Sequence, residues 1–388
     1  MTNALIYRTL ADEIKNLAQH FPVITITGPR QSGKTTLCRN LFPDYAYINL
    51  EDISLREQIQ YDTKGFLSQY PDKVIIDEAH HYPDLFSYIQ VLVDNHPDRR
   101  IILTGSSNFS LLEKITQSLA GRTAVLTLLP LSLQELGRER LWSHTTETLI
   151  LNGGYPAIWS KGIPRDAMFR NYYTTYVERD VRQIINIKDI NLFQTFIRLC
   201  AGRIGTELNA SALAGEVGTS SNTVSSWLST LAASYITYTL PPYYGNIGKR
   251  LVKSNKLYFY DTGLAAWLLG IEDEKQLSTH PSKGALLENM VINEAVKSRL
   301  NRGKTPNLFF YRDKSQKEVD LLHTVANDIH AFEIKAAKSF HKDFFKGLSY
   351  IQGIFGERLT RTAVIFDGED ELHTEHNGIY NFRNFRLE

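Results

Sequence analysis

The stretch Gly28-Pro29-Arg30-Gln31-Ser32-Gly33-Lys34-Thr35 places two glycines, a lysine and a hydroxyl at the spacing of a phosphate-cradling loop. Glycine at 28 and 33 lets the backbone close around phosphate oxygens with no side chain in the way. Lys34 is spaced to reach the β- and γ-phosphates of a nucleotide, and the Thr35 hydroxyl to take a position on Mg²⁺. The run Val23-Ile24-Thr25-Ile26-Thr27 in front reads as a buried strand, and Thr35 to Leu41 behind as the first turns of a helix. The N-terminus of such a helix offers free N–H groups and a partial positive charge, so the contact set for ATP and Mg²⁺ runs from Gly28 through Pro29, Arg30, Gln31, Ser32, Gly33, Lys34 and Thr35 to Thr36. Arg30 either touches phosphate or faces solvent.

A second set of groups belongs with that loop. Asp77-Glu78 ends the apolar run Val74-Ile75-Ile76, and in an α/β sheet the strand ends carry the ligand crevice. Asp77 is therefore expected in the Mg²⁺ shell and Glu78 as the base for the attacking water. Thr104-Gly105-Ser106-Ser107-Asn108 closes the next strand where a γ-phosphate sensor would sit, with Asn108 the first choice and Ser106 or Ser107 as alternatives. Arg122 follows a helix and precedes the last strand of the domain. It suits either a finger aimed at a neighbouring subunit's γ-phosphate or a surface arginine packing its stem.

The phosphate loop, Val-Ile-Ile-Asp-Glu, Leu-Thr-Gly-Ser-Ser-Asn and Leu-Ala-Gly-Arg together resemble a family of prokaryotic AAA-type ATPases. These carry a C-terminal domain related to restriction-endonuclease-like nucleases. The resemblance extends over nearly the whole chain. It implies a P-loop fold of the ASCE type with strand order 5-1-4-3-2, and gives Lys34, Thr35, Asp77 and Glu78 the roles above.

The elements that must position these groups follow in order. Residues 1–140 alternate strand-like and helical segments, the pattern of an α/β domain with a mostly parallel sheet covered on both faces. Residues 141–200 open on the Asn152-Gly153-Gly154-Tyr155-Pro156 break and read as a helical lid. Residues 201–275 read as a winged helix-turn-helix, with helices over 210–217 and 222–231 and a wing bearing Lys249, Arg250, Lys253 and Lys256. Those charges, with Ser221, Asn222, Thr223 and Ser225, suit contact with DNA, although winged helices also serve protein contacts. Residues 276–388 run αβββαβ and end at Asn377-Gly378, which is expected to turn a terminal hairpin. There Asp320, Glu333 and Lys335 are similar to the D…E-x-K signature of restriction-endonuclease-like nucleases. Strand alternation puts Glu333 and Lys335 on one face, Asp320 and Glu333 would share a divalent metal, and Glu288 would add an acid. The same constellation fits a retained nuclease-like fold used for binding. His80-His81 and His373-Thr374-Glu375-His376 lack metal-ligand spacing and are expected to be ordinary exposed residues.

With 388 residues, 43% hydrophobic and 22% charged, the chain has room for two or three cores. A net charge of +1 leaves any nucleic-acid affinity to a local patch, and two cysteines give no disulfide framework. With neither a signal-peptide core nor a bilayer-length apolar run, the expected location is cytoplasmic and away from membranes. The sequence predicts a Mg²⁺-dependent ATPase, working as a homo-oligomer, that moves a winged-helix and nuclease-like module on DNA. The alternative is a nucleotide-gated protein-binding switch of slow turnover without nuclease activity.

Overall fold

The computed structural model describes residues 5–106, 118–139, 141–176, 189–243, 254–374 and 377–387. Near the N-terminus, β1 (Val23–Gly28), β2 (Ala46–Asn49), β3 (Lys73–Asp77), β4 (Arg100–Ser106) and β5 (Thr123–Thr127) pair in parallel, in the order β2-β3-β4-β1-β5. Read from the other edge this is 5-1-4-3-2. The central strands are nearly all buried because helices cover both faces of the sheet. Ile24, Ile26, Ile75 and Ile102 pack on one side with Leu10 and Ile14 of the Leu10–Leu17 helix and Leu37 of the Lys34–Leu41 helix. Val23, Ile76, Ile101 and Leu103 pack on the other with Ile59, Phe86 and Ile89. The strand ends therefore converge on one crevice, at Gly28, Asp77 and Ser106.

The middle of the chain is helical. Asn209 and Ser220 cap the helices Ala210–Val217 and Ser221–Ala233, and Gly218, at φ 83°, makes the turn between them. Trp227 packs on Phe193 and Phe196 of the Ile190–Ala201 helix. A two-stranded ribbon follows, β6 (Thr237–Leu240) antiparallel to β7 (Lys256–Phe259). One hydrophobic cluster runs without a break from Leu129 and Leu131 through this region to Phe332, Ala363 and Phe385.

The C-terminal region begins with the Lys283–Leu300 helix, then β8 (Leu308–Arg312), β9 (Glu318–Val325), β10 (Asp328–Lys335), β11 (Leu359–Phe366), β12 (Leu372–His373) and β13 (Asn377–Asn381). The sheet order is β12-β13-β11-β10-β9-β8, with β10, β11 and β13 mutually parallel and the flanking pairs antiparallel. The terminal hairpin marked by Asn377-Gly378 is present as β12 antiparallel to β13, with both residues at the start of β13. Gly378 pairs with His373 across the hairpin and with Ala363 of β11, and Thr362 donates its hydroxyl to Asn377.

Asp261 ties the middle region together. Its buried carboxylate accepts the Gly154 N–H at 2.7 Å and caps the Thr262–Leu268 helix through the Leu264 N–H at 2.9 Å. Gly153, at φ 59°, has no room for a side chain, since a Cβ there would lie 2.2 Å from Asp261 Oδ1. Asp261→Ala leaves two buried donors without an acceptor and is expected to lower unfolding free energy by about 2–4 kcal/mol. Chemical denaturation measures this, and a loss below about 1 kcal/mol would show that the carboxylate is not what holds the break to the ribbon.

Candidate functional site

β1 is buried along its length and ends at Gly28, whose φ of 143° and Cβ position 2.2 Å from the Leu128 carbonyl oxygen demand glycine. The loop then turns through Gln31 at φ 61° and Gly33 at φ 94°, and Gly33 starts the Lys34–Leu41 helix. Lys34 Nζ is buried and donates to the carbonyls of Gly28 at 3.0 Å and Pro29 at 2.9 Å. Burial lowers its pKa, and the Glu78 and Asp77 carboxylates oppose that shift. The Ser32 hydroxyl is buried without a hydrogen-bond partner among the described residues. Gly33, Lys34, Thr35 and Thr36 of the loop and helix line a cavity of about 830 Å³, along with Arg30, Gln31 and Glu78. Arg30 faces inward, its guanidinium 5.7 Å from the Tyr176 ring centre.

Asp77, the last residue of β3, is buried and holds three hydroxyls. Thr35 Oγ1 and Tyr47 Oη each donate to its Oδ2 at 2.7 Å, and Thr104 donates to its Oδ1. Burial first, and then Asp77, push the Tyr47 phenol up, which keeps it a donor. Glu78 sits in the left-handed region at φ 52°, a conformation that turns its side chain toward Ser106 and the loop. Its Oε2 accepts the Ser106 N–H at 3.0 Å and the Ser106 hydroxyl at 3.3 Å, and lies 3.1 Å from His80 Nδ1. Burial works against the ionised form of Glu78. The His80 ring, the Lys34 ammonium and the Ser106 amide outweigh it and hold the carboxyl down at about 2. The donor set of a hydroxyl beside a carboxylate, with an ammonium and a helix N-terminus adjacent, fits a magnesium-bound triphosphate.

The structure thus brings Gly28 to Thr36, Asp77 and Glu78 into one place. Asn108 and Ser107 lie outside the described residues, and Ser106 touches Glu78. Arg122 lies elsewhere: its carbonyl accepts the Val23 N–H at the start of β1, so it sits at the far end of the strands from Gly28. Its guanidinium is paired with Asp94 at 2.6 and 2.8 Å on the surface. Sequence reasoning missed Tyr47, Thr104 and His80. The histidine is half-buried against Glu78, so the expectation of an exposed residue is corrected; its place two residues after the acid was the available signal.

In the C-terminal sheet, Glu288, Asp320, Glu333 and Lys335 do converge. Lys335 Nζ lies 2.6 Å from Glu333 Oε2 and 3.4 Å from Asp320 Oδ2, which also accepts the Ile334 N–H at 2.8 Å. Glu288 accepts from Tyr258 Oη at 2.6 Å and from Lys256 Nζ at 3.3 Å. Lys256 also lies 2.5 Å from Glu318. Lys256 is therefore not a wing residue facing phosphates: it is 1% exposed, drawn in from β7 by carboxylates that neutralise it. Lys249, Arg250 and Lys253 lie outside the described residues. Among the described residues no group of three or more His, Cys, Asp or Glu side chains is arranged to hold a metal ion.

The AAA domain family matches residues 20–137, and two domains of unknown function match residues 143–275 (DUF8612) and 283–385 (DUF4143). An uncharacterized protein of Mycobacterium tuberculosis is 31% identical over 373 residues, covering 93% of this chain and 80% of its own length. One of Haemophilus influenzae is 25% identical, covering 80% of this chain and 82% of its own. Among solved structures, a Walker-type ATPase of Pyrococcus abyssi is 15% identical with a TM-score of 0.45, covering 69% of this chain and 99% of its own.

Burial, and then the neighbouring Asp320, push Glu333 up to about 8 and Glu288 to about 7, from an ordinary 4.5. Folding therefore takes up protons at these carboxyls, and stability falls as pH rises from 4.5 through the raised values. Glu333→Gln is expected to flatten that fall when denaturation midpoints at about pH 5 and about pH 9 are compared. An unchanged slope would remove Glu333 as a source of the pH dependence.

Proposed function

The chain belongs to the same family as the Mycobacterium tuberculosis protein, one that joins an AAA-type ATPase domain to two further domains, and on that premise we propose a nucleotide-gated binding switch of slow turnover. The observation that carries this reading is the make-up of the cavity wall. The ATPase core supplies phosphate-loop residues, and Pro156, Ala157, Lys161, Ile163 and Tyr176 of the following region line the same cavity. A ligand held between them contacts both regions and so favours one arrangement over another, as a switch requires. Tyr235 adds a second link: its hydroxyl lies 2.9 Å from Thr27 Oγ1, one residue before the loop.

In this reading the backbone N–H groups of the loop and helix start, Pro29 having none, bind the phosphates and Lys34 neutralises them. Thr35 and Asp77 would hold magnesium, which would supply positive charge to offset the negative charge of the phosphates. Glu78 stays ionised at neutral pH and takes a proton from the attacking water, which Asn108 or Ser106 orients. Arg122 exchanges Asp94 for the site of a neighbouring copy in a homo-oligomer. No helix among the described residues is long and apolar enough to cross a membrane.

The binding reading is preferred over DNA cleavage for two reasons. The exposed face of the Ser221–Ala233 helix has no lysine or arginine to meet phosphates. The carboxylates of the C-terminal centre are already paired with Lys256 and Lys335. Calorimetry and phosphate-release assays test the proposal. Wild type should bind ATP with Mg²⁺, Lys34→Ala should lose binding, and Glu78→Gln should bind but hydrolyse about 10²-fold more slowly or worse. DNA should leave the rate unchanged and a supercoiled plasmid intact with Mg²⁺ or Mn²⁺. DNA-stimulated hydrolysis, or nicking abolished by Lys335→Ala, would return the function to nucleic acid, and a flat ATP titration would end the nucleotide reading.

A further inference from the structure

Outside the phosphate loop, one buried cation holds its shape. Arg8 precedes the Leu10–Leu17 helix and is 7% exposed. It donates Nη1 to the Ser32 carbonyl at 2.7 Å, Nη2 to the Leu129 carbonyl at 2.5 Å and Nε to Glu135 Oε1 at 3.2 Å. The three acceptors come from separate parts of the chain and satisfy three edges of one planar guanidinium, a fork geometry that lysine cannot reproduce. Glu135 is itself fixed, since its Oε1 also accepts the Thr9 N–H at 2.7 Å and its Oε2 the Ser132 N–H at 2.9 Å.

The carbonyls of Gly28 and Pro29 point inward to Lys34, whereas that of Ser32 points to Arg8. In a trans peptide the C=O and the following N–H point in opposite directions. Holding the Ser32 carbonyl on Arg8 therefore turns the Gly33 N–H away from Arg8. Gly33, at φ 94° with no Cβ, has little intrinsic preference to keep that peptide plane in place.

We propose that Arg8 is a positioning residue for phosphate binding: it locks the Ser32–Gly33 peptide so that the Gly33 N–H faces the bound nucleotide's phosphates. The inference rests on the nucleotide-binding reading above, and it assigns a role to a residue outside the loop motif. Removing Arg8 frees the peptide to rotate and present a carbonyl, which repels phosphate, where a donor should be.

The test uses the full-length protein labelled with ¹⁵N-glycine, with ADP and Mg²⁺ as the probe. In wild type the Gly33 amide proton should move downfield on ADP addition, as an N–H that comes to donate to phosphate does. In Arg8→Met that shift should be lost and ADP affinity by calorimetry should fall about tenfold. Arg8→Lys, which keeps a charge beside Glu135, should not restore the shift. If Arg8→Met does not fold, Arg8→Lys carries the same comparison. A wild-type Gly33 shift retained in the variant, with unchanged ADP affinity, would overturn the role of Arg8 and leave nucleotide binding standing. Wild type that binds no ADP would overturn both.

Discussion

A cradle for a polyanion has to stay positive while it is buried and waiting, and that constraint shapes the ATPase core. Taking an ammonium out of water is costly, and Lys34 is 5% exposed. Two loop carbonyls accept from it, and the carboxylates of Asp77 and Glu78 balance its charge. Those carboxylates are costly in turn, and are met by hydroxyls on Asp77 and by the Ser106 amide and His80 on Glu78. The site is a closed set of compensations that a triphosphate and its metal would re-partition.

The same compensations reach into the rest of the chain. Ser132 and Glu135 form a capping box at the Leu133–Arg138 helix, and Glu135 takes Arg8 from beneath the phosphate loop. One residue after Ser132, the Leu133 N–H donates to Glu294 of the Lys283–Leu300 helix at 2.7 Å. Lys297 of that helix donates to the Leu131 carbonyl at 2.8 Å. A single short turn thus bonds the phosphate loop on one side and the C-terminal region on the other. Because each of these groups is buried, a shift at one end leaves a polar atom unpaired unless the other end follows.

The phosphate loop and Asp77-Glu78 were legible because each needs only local sequence: glycines where the backbone is strained, and acids directly after a buried strand. The parallel sheet was legible from its apolar runs for the same reason. Arg8 could not be found that way. Its partners are 24, 121 and 127 residues distant, and nothing in Tyr7-Arg8-Thr9 marks it. Lys256 was misread because its run of positive neighbours suggested a surface, while the groups that bury it, Glu288 and Glu318, come from elements 32 and 62 positions away. Asn377-Gly378 marked the β12–β13 hairpin through local sequence alone, with both residues beginning the returning strand.

Lys256 also bears on what the C-terminal centre can do. A divalent ion about 4 Å from that ammonium would meet a repulsion on the order of 8 kcal/mol at an effective dielectric near 20, set against the attraction of the carboxylates around it. β7 pairs with β6, Phe259 opposite Thr237, and Tyr235 stands two residues before Thr237. Tyr235 is the residue bonded to Thr27 beside the phosphate loop, and it holds a left-handed φ of 52° to do so. The ribbon that fills the acidic centre at one end is thus fastened to the nucleotide site at the other. The Thr27–Tyr235 contact is a direct bond between the segment leading into the ribbon and the strand that leads into the phosphate loop.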